Sequence, residues 1–260
     1  MTWLGIIAGI LLVLASGVSG SVYMLYRARQ IRLEEKTYGI ATPYLQYIAG
    51  TIGAITGLII GGLIVYFLAL NQRIGLVEWI GRFSYVLIAA ASGGHLLTLV
   101  MTGLHLWREE RAWGQHKGPG NGTLGGRRIQ AFRRLRRQHE HYTDLKERDD
   151  IVLEELVDVI GRPLLLLRRN LVRLPFYGYL GTVCGILLMA DRLSQIDEAS
   201  ETFKVLSSMA EGLVLAFQTT LVGLLTYLPL RKAADVLLER IANLEDAWVK
   251  FRNEQEGLKG

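Results

Sequence analysis

Apolar positions along this chain follow two rhythms. Five stretches are apolar almost without interruption: Thr2 to Tyr26, Tyr44 to Leu70, Phe83 to Trp107, Pro175 to Ala190 and Leu206 to Pro229. Crossing ~30 Å of hydrocarbon as a helix takes roughly 20 mostly apolar residues, so these runs predict five membrane spans. Elsewhere apolar residues recur at helical spacing among charges. Ile129, Phe132 and Leu135 do so, then Ile151, Leu153, Leu156, Val157 and Ile160, and after Pro229 the series Ala234, Leu237, Leu238, Ile241, Leu244 and Trp248. These stripes predict amphipathic helices outside the membrane that pack on one another, with a break or kink near Gly161-Arg162-Pro163. The predicted fold is all-α and polytopic, with about five transmembrane helices and helical extensions beyond them.

Charge gives the spans an orientation. The chain of 260 residues is 50% hydrophobic, has 29 glycines and only 5 prolines, and carries a net charge of +5. A basic excess raises the question of nucleic acid, but Lys and Arg concentrate in Arg27 to Lys36 and Arg108 to Arg173, beside predicted spans. Basic residues next to spans stay on the cytoplasmic side, so nucleic acid is not expected as a partner. The segments Asn71 to Arg82 and Asp191 to Lys204 carry fewer basic residues and are expected outside. The expected topology has an outside N-terminus and a cytoplasmic C-terminus. The organisation follows: 1–107, three peripheral N-terminal spans serving as scaffold; 108–174, a basic cytoplasmic helical segment; 175–230, a pair of spans; 231–260, a cytoplasmic amphipathic helix. The first span has its basic residues after it, the reverse of a secretory signal, and is expected to be a retained helix. Cys184 is the only cysteine, so neither an intramolecular disulfide nor a cysteine metal cluster is possible.

Polar and small residues inside the spans bear on function. Gly53, Gly57 and Gly61 fall on one face of the second span, as small residues four apart do in the first; both patterns let helices approach closely in lipid. His95 and His105 lie in the third span, and ionisable groups there are functional candidates. Several other motifs lead nowhere. The Gly-rich stretch 118–126 is followed by no Gly-Lys-Ser/Thr, so no phosphate loop is expected. His139 and His141 are two apart, which a helix directs to different faces, so the His-Glu-x-x-His zinc pattern is absent. Asn121-Gly122-Thr123 is a glycosylation sequon, without meaning on the cytoplasmic side.

The last two spans hold the most suggestive pattern. Thr182 lies seven residues past Pro175 and Thr220 nine before Pro229, in helices running in opposite directions. At ~1.5 Å per residue the two hydroxyls reach one depth, roughly 10 to 14 Å from the cytoplasmic edge. Gly178, Thr182 and Gly185 share one face, and Thr220, Gly223 and Tyr227 share another. Two such faces at matched depth can surround something polar. Neither helix carries a carboxylate at that level, and a proton relay needs a group whose ionisation cycles. Glu211 is the one acid expected to be buried, about two to three turns nearer the outside, as an entrance or in a pair with a basic residue of the outer loop.

These residues resemble a known family. Pro175-Phe-Tyr-Gly-Tyr-Leu-Gly-Thr-Val-Cys-Gly185 is similar to the start of the first pore helix of the MotA/TolQ/ExbB proton-channel proteins, a proline and then Gly-x-Leu-Gly-Thr-Val-x-Gly. Ala210-Glu-Gly-Leu-Val-Leu-Ala-Phe-Gln-Thr-Thr-Leu-Val-Gly223 resembles the second, with Ala-Leu-x-x-Thr-x-x-Gly at its core and Pro229 at the cytoplasmic exit. The resemblance covers Arg168 to Trp248. It implies a bacterial inner-membrane, stator-like subunit that forms a homo-pentamer around a dimer of single-span partners related to MotB, TolR or ExbD. The partner would supply the membrane aspartate that takes up and releases H⁺ or Na⁺, and ion flow would drive rotation. Thr182 and Thr220 then match the ring threonines facing that carboxylate, with Thr219 beside them, and Pro175 and Pro229 match the prolines at the cytoplasmic ends. The chain departs from the three-helix members in having two further N-terminal spans, and Leu215 stands where ExbB and TolQ carry a pore glutamate. No enzymatic activity, cofactor or metal is expected. The rival readings are a non-conducting membrane scaffold and a small-solute transporter, the latter disfavoured because no inverted repeat and no broken helix is visible.

Overall fold

The computed structural model describes residues 3–37, 44–70, 75–114, 123–138, 142–193 and 202–257. Every element among them is an α-helix: α1 (Trp3–Thr37), α2 (Leu45–Leu70), α3 (Leu76–Gly114), α4 (Leu124–Gln138), α5 (Tyr142–Leu171), α6 (Arg173–Leu193) and α7 (Thr202–Gly257). Five stretches of helix are long and apolar enough to cross a membrane. The protein is an all-α polytopic membrane protein. His139, His141 and Asn121 fall outside the described residues, as does most of the Gly-rich connector.

Three boundaries differ from the sequence reading. Helix α3 opens at Leu76 rather than Phe83. Its two extra charges, Glu78 and Arg82, pair with each other one turn apart, which lowers the cost of including them. Helix α5 runs through Pro163 without the expected break, and the chain turns only at Val172. A proline forfeits one backbone bond, but Leu156, Ile160, Leu164, Leu167 and Leu171 form an unbroken buried stripe that holds the helix on both sides of it. Helix α7 likewise continues through Pro229, so the fifth span and the C-terminal amphipathic helix are one element of 56 residues. Pro175 lies in the first turn of α6, where the missing N–H has no partner to lose.

The chain divides into two compact units. The first comprises Met1–Arg27, Gln46–Leu97 and Asn170–Arg231 and holds the most apolar part of each crossing helix. Its helices meet through glycine. A Cβ on Gly53 or Gly57 of α2 would run into the backbone of Gly20 or Ser16 of α1, and one on Gly61 would come within 2.9 Å of the Val13 Cα. A Cβ on Gly93 of α3 would overlap the Thr56 side chain of α2, and one on Gly81 would come within 3.0 Å of Cys184 on α6 and Leu215 on α7. Hydrocarbon provides no hydrophobic drive between helices, so such close backbone approach is what associates them. The outward faces are apolar, with Ile6, Ile10, Leu14 and Val18 exposed on α1, as residues facing lipid tails are.

The second unit comprises Ala28–Leu45, Thr98–Arg169 and Lys232–Gly260. Here the amphipathic stripes are used as expected. Leu145, Leu153, Leu156, Ile160, Leu164 and Leu167 are buried on α5, and Ala234, Leu237, Ile241, Leu244 and Trp248 on α7. Ile151, expected in the α5 stripe, is instead exposed, because its position falls between the turns that face the core. Trp113, Phe132, Trp248 and Phe251 stack into an aromatic cluster, with ring centroids 5.6 to 6.3 Å apart. Beside it, Asp149 is fully buried and accepts hydrogen bonds from both Arg128 and Arg252. The Glu109 carboxylate of α3 accepts from the Leu124 and Gly125 amides at 2.7 and 3.0 Å, capping the start of α4.

Candidate functional site

Helices α6 and α7 fit together through small residues on one side of each. Gly178, Gly181 and Gly185 open a channel along α6, and α7 fills it with Gly212, Ala216, Thr219 and Gly223. A Cβ on Gly178 would meet the Thr219 carbonyl at 2.9 Å and the Thr220 Cα at 3.1 Å; one on Gly185 would strike the Gly212 carbonyl and reach the Ala216 Cβ at 2.9 Å. Gly181 makes the hole that receives the Thr219 side chain. On the other helix, Gly223 lies against the Leu174 carbonyl and Gly178, at 3.2 and 3.4 Å from a built Cβ. The spacing of these glycines, three and four apart, keeps them on one helical face.

The three threonines have different surroundings. Thr182 Oγ1 and Thr220 Oγ1 are hydrogen-bonded to each other across the two helices, so the matched depth read from the sequence is present in three dimensions. Thr182 Oγ1 also lies 3.1 Å from the Ala216 carbonyl of α7 and 3.4 Å from its own Gly178 carbonyl. A hydroxyl has one proton to give. The arrangement that uses each proton once has Thr220 donating to Thr182, and Thr182 donating to a carbonyl. Both side chains are half-buried, at the edge of the seam. Thr219 is wholly buried and bonds back to the Leu215 and Ala216 carbonyls at 2.9 and 3.1 Å. It is a packing residue in this arrangement, inserted between the helices.

The remaining candidates are more dispersed. Tyr227 and Pro175 are half-buried, and Pro229 is exposed. Glu211, expected to be buried, instead lies on an exposed face of α7, nine positions and about 14 Å along the helix from Thr220. Gln218 stands one heptad beyond Glu211 on that same exposed face, and its amide oxygen is 3.5 Å from the Tyr85 hydroxyl of α3. His95 lies beside residues at span ends: Gly94 adjoins the Arg27 guanidinium, and both Arg27 and Arg173 are within electrostatic range of the imidazole. Sequence reading passed over Gly181, Gly212, Ala216 and the Tyr85–Gln218 pair. The first was visible as a glycine three residues past Gly178 and the second as one eleven residues before Gly223; a pair 133 residues apart left no local signal.

Chemically, two neutral hydroxyls can orient a water or accept and donate to a carboxyl group, and they cannot themselves cycle a proton near neutral pH. Among the described residues no group of His, Cys, Asp and Glu is arranged to hold a metal ion. Residues 131–250 match the MotA/TolQ/ExbB proton channel family. The match contains the whole of the α6–α7 seam and leaves out α1, α2 and α3. No curated protein and no solved structure gives a match.

Proposed function

Because the chain belongs, through residues 131–250, to the MotA/TolQ/ExbB proton channel family, we propose that it is the ring subunit of an ion-driven membrane motor. Five copies surround a dimer of single-span partners, and ion flow between the two turns one set against the other. The observation that carries this reading is the half-buried pair Thr182 and Thr220, hydrogen-bonded across α6 and α7 with no carboxylate at their level on either helix. Such a pair is half of a relay: it can hold a carboxyl group in line, and the group that ionises comes from the partner, as an aspartate in its span. Gly178, Gly185 and Gly223 set the spacing of the two helices, Pro175 and Pro229 mark the cytoplasmic ends, and Tyr227 and Glu211 flank the path. The conducted ion is H⁺, with Na⁺ as the alternative that the same hydroxyls would serve. The chain lies in a bacterial inner membrane with its N-terminus outside, as the basic residues flanking the spans favour.

A second reading has its own observation. The glycines interlock so closely that α6 and α7 would pack well without conducting anything, as a scaffold requires. One experiment separates the two. The chain is co-expressed with any single-span protein found to be encoded beside it, the product is weighed by native mass spectrometry, and ion uptake is measured in proteoliposomes. A 5:2 complex with uptake that is lost when the partner's membrane aspartate becomes asparagine supports the motor. A homo-oligomer without a partner and without uptake supports the scaffold.

A further inference from the structure

Helices α1 and α2 lie outside the family match, and they frame a groove of their own. It has a volume of about 450 Å³ and runs along α1 from Leu12 through Ser16 and Ser19 to Tyr23. The far wall is Gly53, Gly57 and Ile60 of α2, with Ala90 of α3 closing the side. Eleven positions of helix give it a length of about 16 Å. Its lining is almost wholly apolar, with a few hydroxyls along one edge.

The groove has a charged end. Arg27 is one turn past Tyr23 on α1, and Gly94 is one turn past Ala90 on α3; the Arg27 guanidinium lies 3.5 Å from where a Gly94 Cβ would stand. The two walls therefore converge on a cation. Arg173 adds to the positive field there, and among the described residues Arg27 has no carboxylate paired with it. A long apolar trough that ends on an exposed arginine has the dimensions and polarity of one lipid: an acyl chain along the trough and a negative headgroup at its mouth. An incoming transmembrane helix would need small residues over the whole trough and would leave Arg27 without a counter-charge.

We propose that this groove binds an anionic phospholipid from the leaflet on the Arg27 side. One acyl chain lies against Ser16, Ser19, Gly53 and Ala90, and the phosphate is held by Arg27. The site is independent of whether the α6–α7 pair conducts ions.

The test uses the full chain, purified and then loaded in mixed vesicles of phosphatidylglycerol and phosphatidylethanolamine, followed by stepwise delipidation and native mass spectrometry. One arginine near a lipid surface contributes enough for about a fivefold preference for the anionic lipid. The expected result is one retained phosphatidylglycerol per chain at about that preference. Arg27→Gln should bring the preference to unity, and Ser19→Phe, at an exposed position of the groove, should abolish retention. Equal retention of the two lipids by the unaltered chain, or retention unchanged in Ser19→Phe, overturns the proposal. Should Ser19→Phe fail to fold, Ser19→p-benzoylphenylalanine decides the matter alone: a light-driven adduct of lipid mass supports the site, and an adduct to a second polypeptide shows that a helix occupies the groove instead.

Discussion

Thr220→Val keeps the shape of the side chain and removes one hydroxyl from the pair with Thr182. If the pair positions an ionising carboxyl group, ion uptake in proteoliposomes should fall at least tenfold, with complex mass unchanged; full uptake would remove Thr220 from the path. Thr219→Val is the contrasting case. Its hydroxyl serves only its own helix, so uptake should persist, and the cost should be about 1 kcal/mol of stability for one lost hydrogen bond. The threonine depth was legible from the sequence because two prolines supply a ruler and helical rise is constant. The division of labour between Thr219 and Thr220 was not. Adjacent residues on a helix differ by ~100° in direction, and only the position of α6 decides which of them is enclosed. Glycines can be graded in the same way. Gly185→Ala meets the Gly212 carbonyl and should lower the thermal midpoint in detergent, whereas Gly62→Ala meets nothing within 4 Å and should leave it unchanged or raise it slightly.

At the level of elements, the stripes on α5 and α7 were readable because burial at every third and fourth position imposes a period on the sequence. The ion cluster beside them was not, since Arg128, Asp149 and Arg252 come from three helices and look like any other charges on amphipathic segments. Burial pushes the Arg128 guanidinium down from its ordinary value, against the pull of the Asp149 carboxylate. Removing one partner of a buried pair strands the other. Asp149→Ala leaves Arg128 without its one bonded carboxylate and should destabilise the second unit by about 3–5 kcal/mol. The check is hydrogen exchange in α4 and α5, which should rise sharply; an unchanged pattern would mean that water solvates the arginines well enough. The α5 break was misread for a related reason. Proline's local penalty is visible in the sequence, and the apolar seam that outweighs it is spread from Leu156 to Leu171.

Five candidate crossings are found among the described residues, an odd number, which predicts ends on opposite sides of the membrane. Because Cys184 is the sole cysteine and is buried, single cysteines can report this on a Cys184→Ala background. Trp3→Cys should react with a membrane-impermeant maleimide on intact spheroplasts, and Asn253→Cys only after permeabilisation. The reverse pattern would invert the proposed orientation. The organisation of the chain was only partly legible. Contiguous segments can be marked off by hydropathy, but each compact unit collects pieces from α1, α3 and α7, and a helix that serves two units shows no seam in its own sequence.

Helix α7 runs on through Pro229, and that continuity has a chemical residue. The amide that should bond to the Leu225 carbonyl does not exist, because proline has no hydrogen to give. Leu225 is itself on the exposed side of the helix. Hydrocarbon cannot leave a peptide oxygen thirsty at a cost of several kcal/mol, so this spot must draw a donor from elsewhere: a local rearrangement of the helix, a neighbouring chain or a water molecule. Five residues from Thr220, the backbone itself holds out an acceptor that the i+4 position of its own helix does not fill.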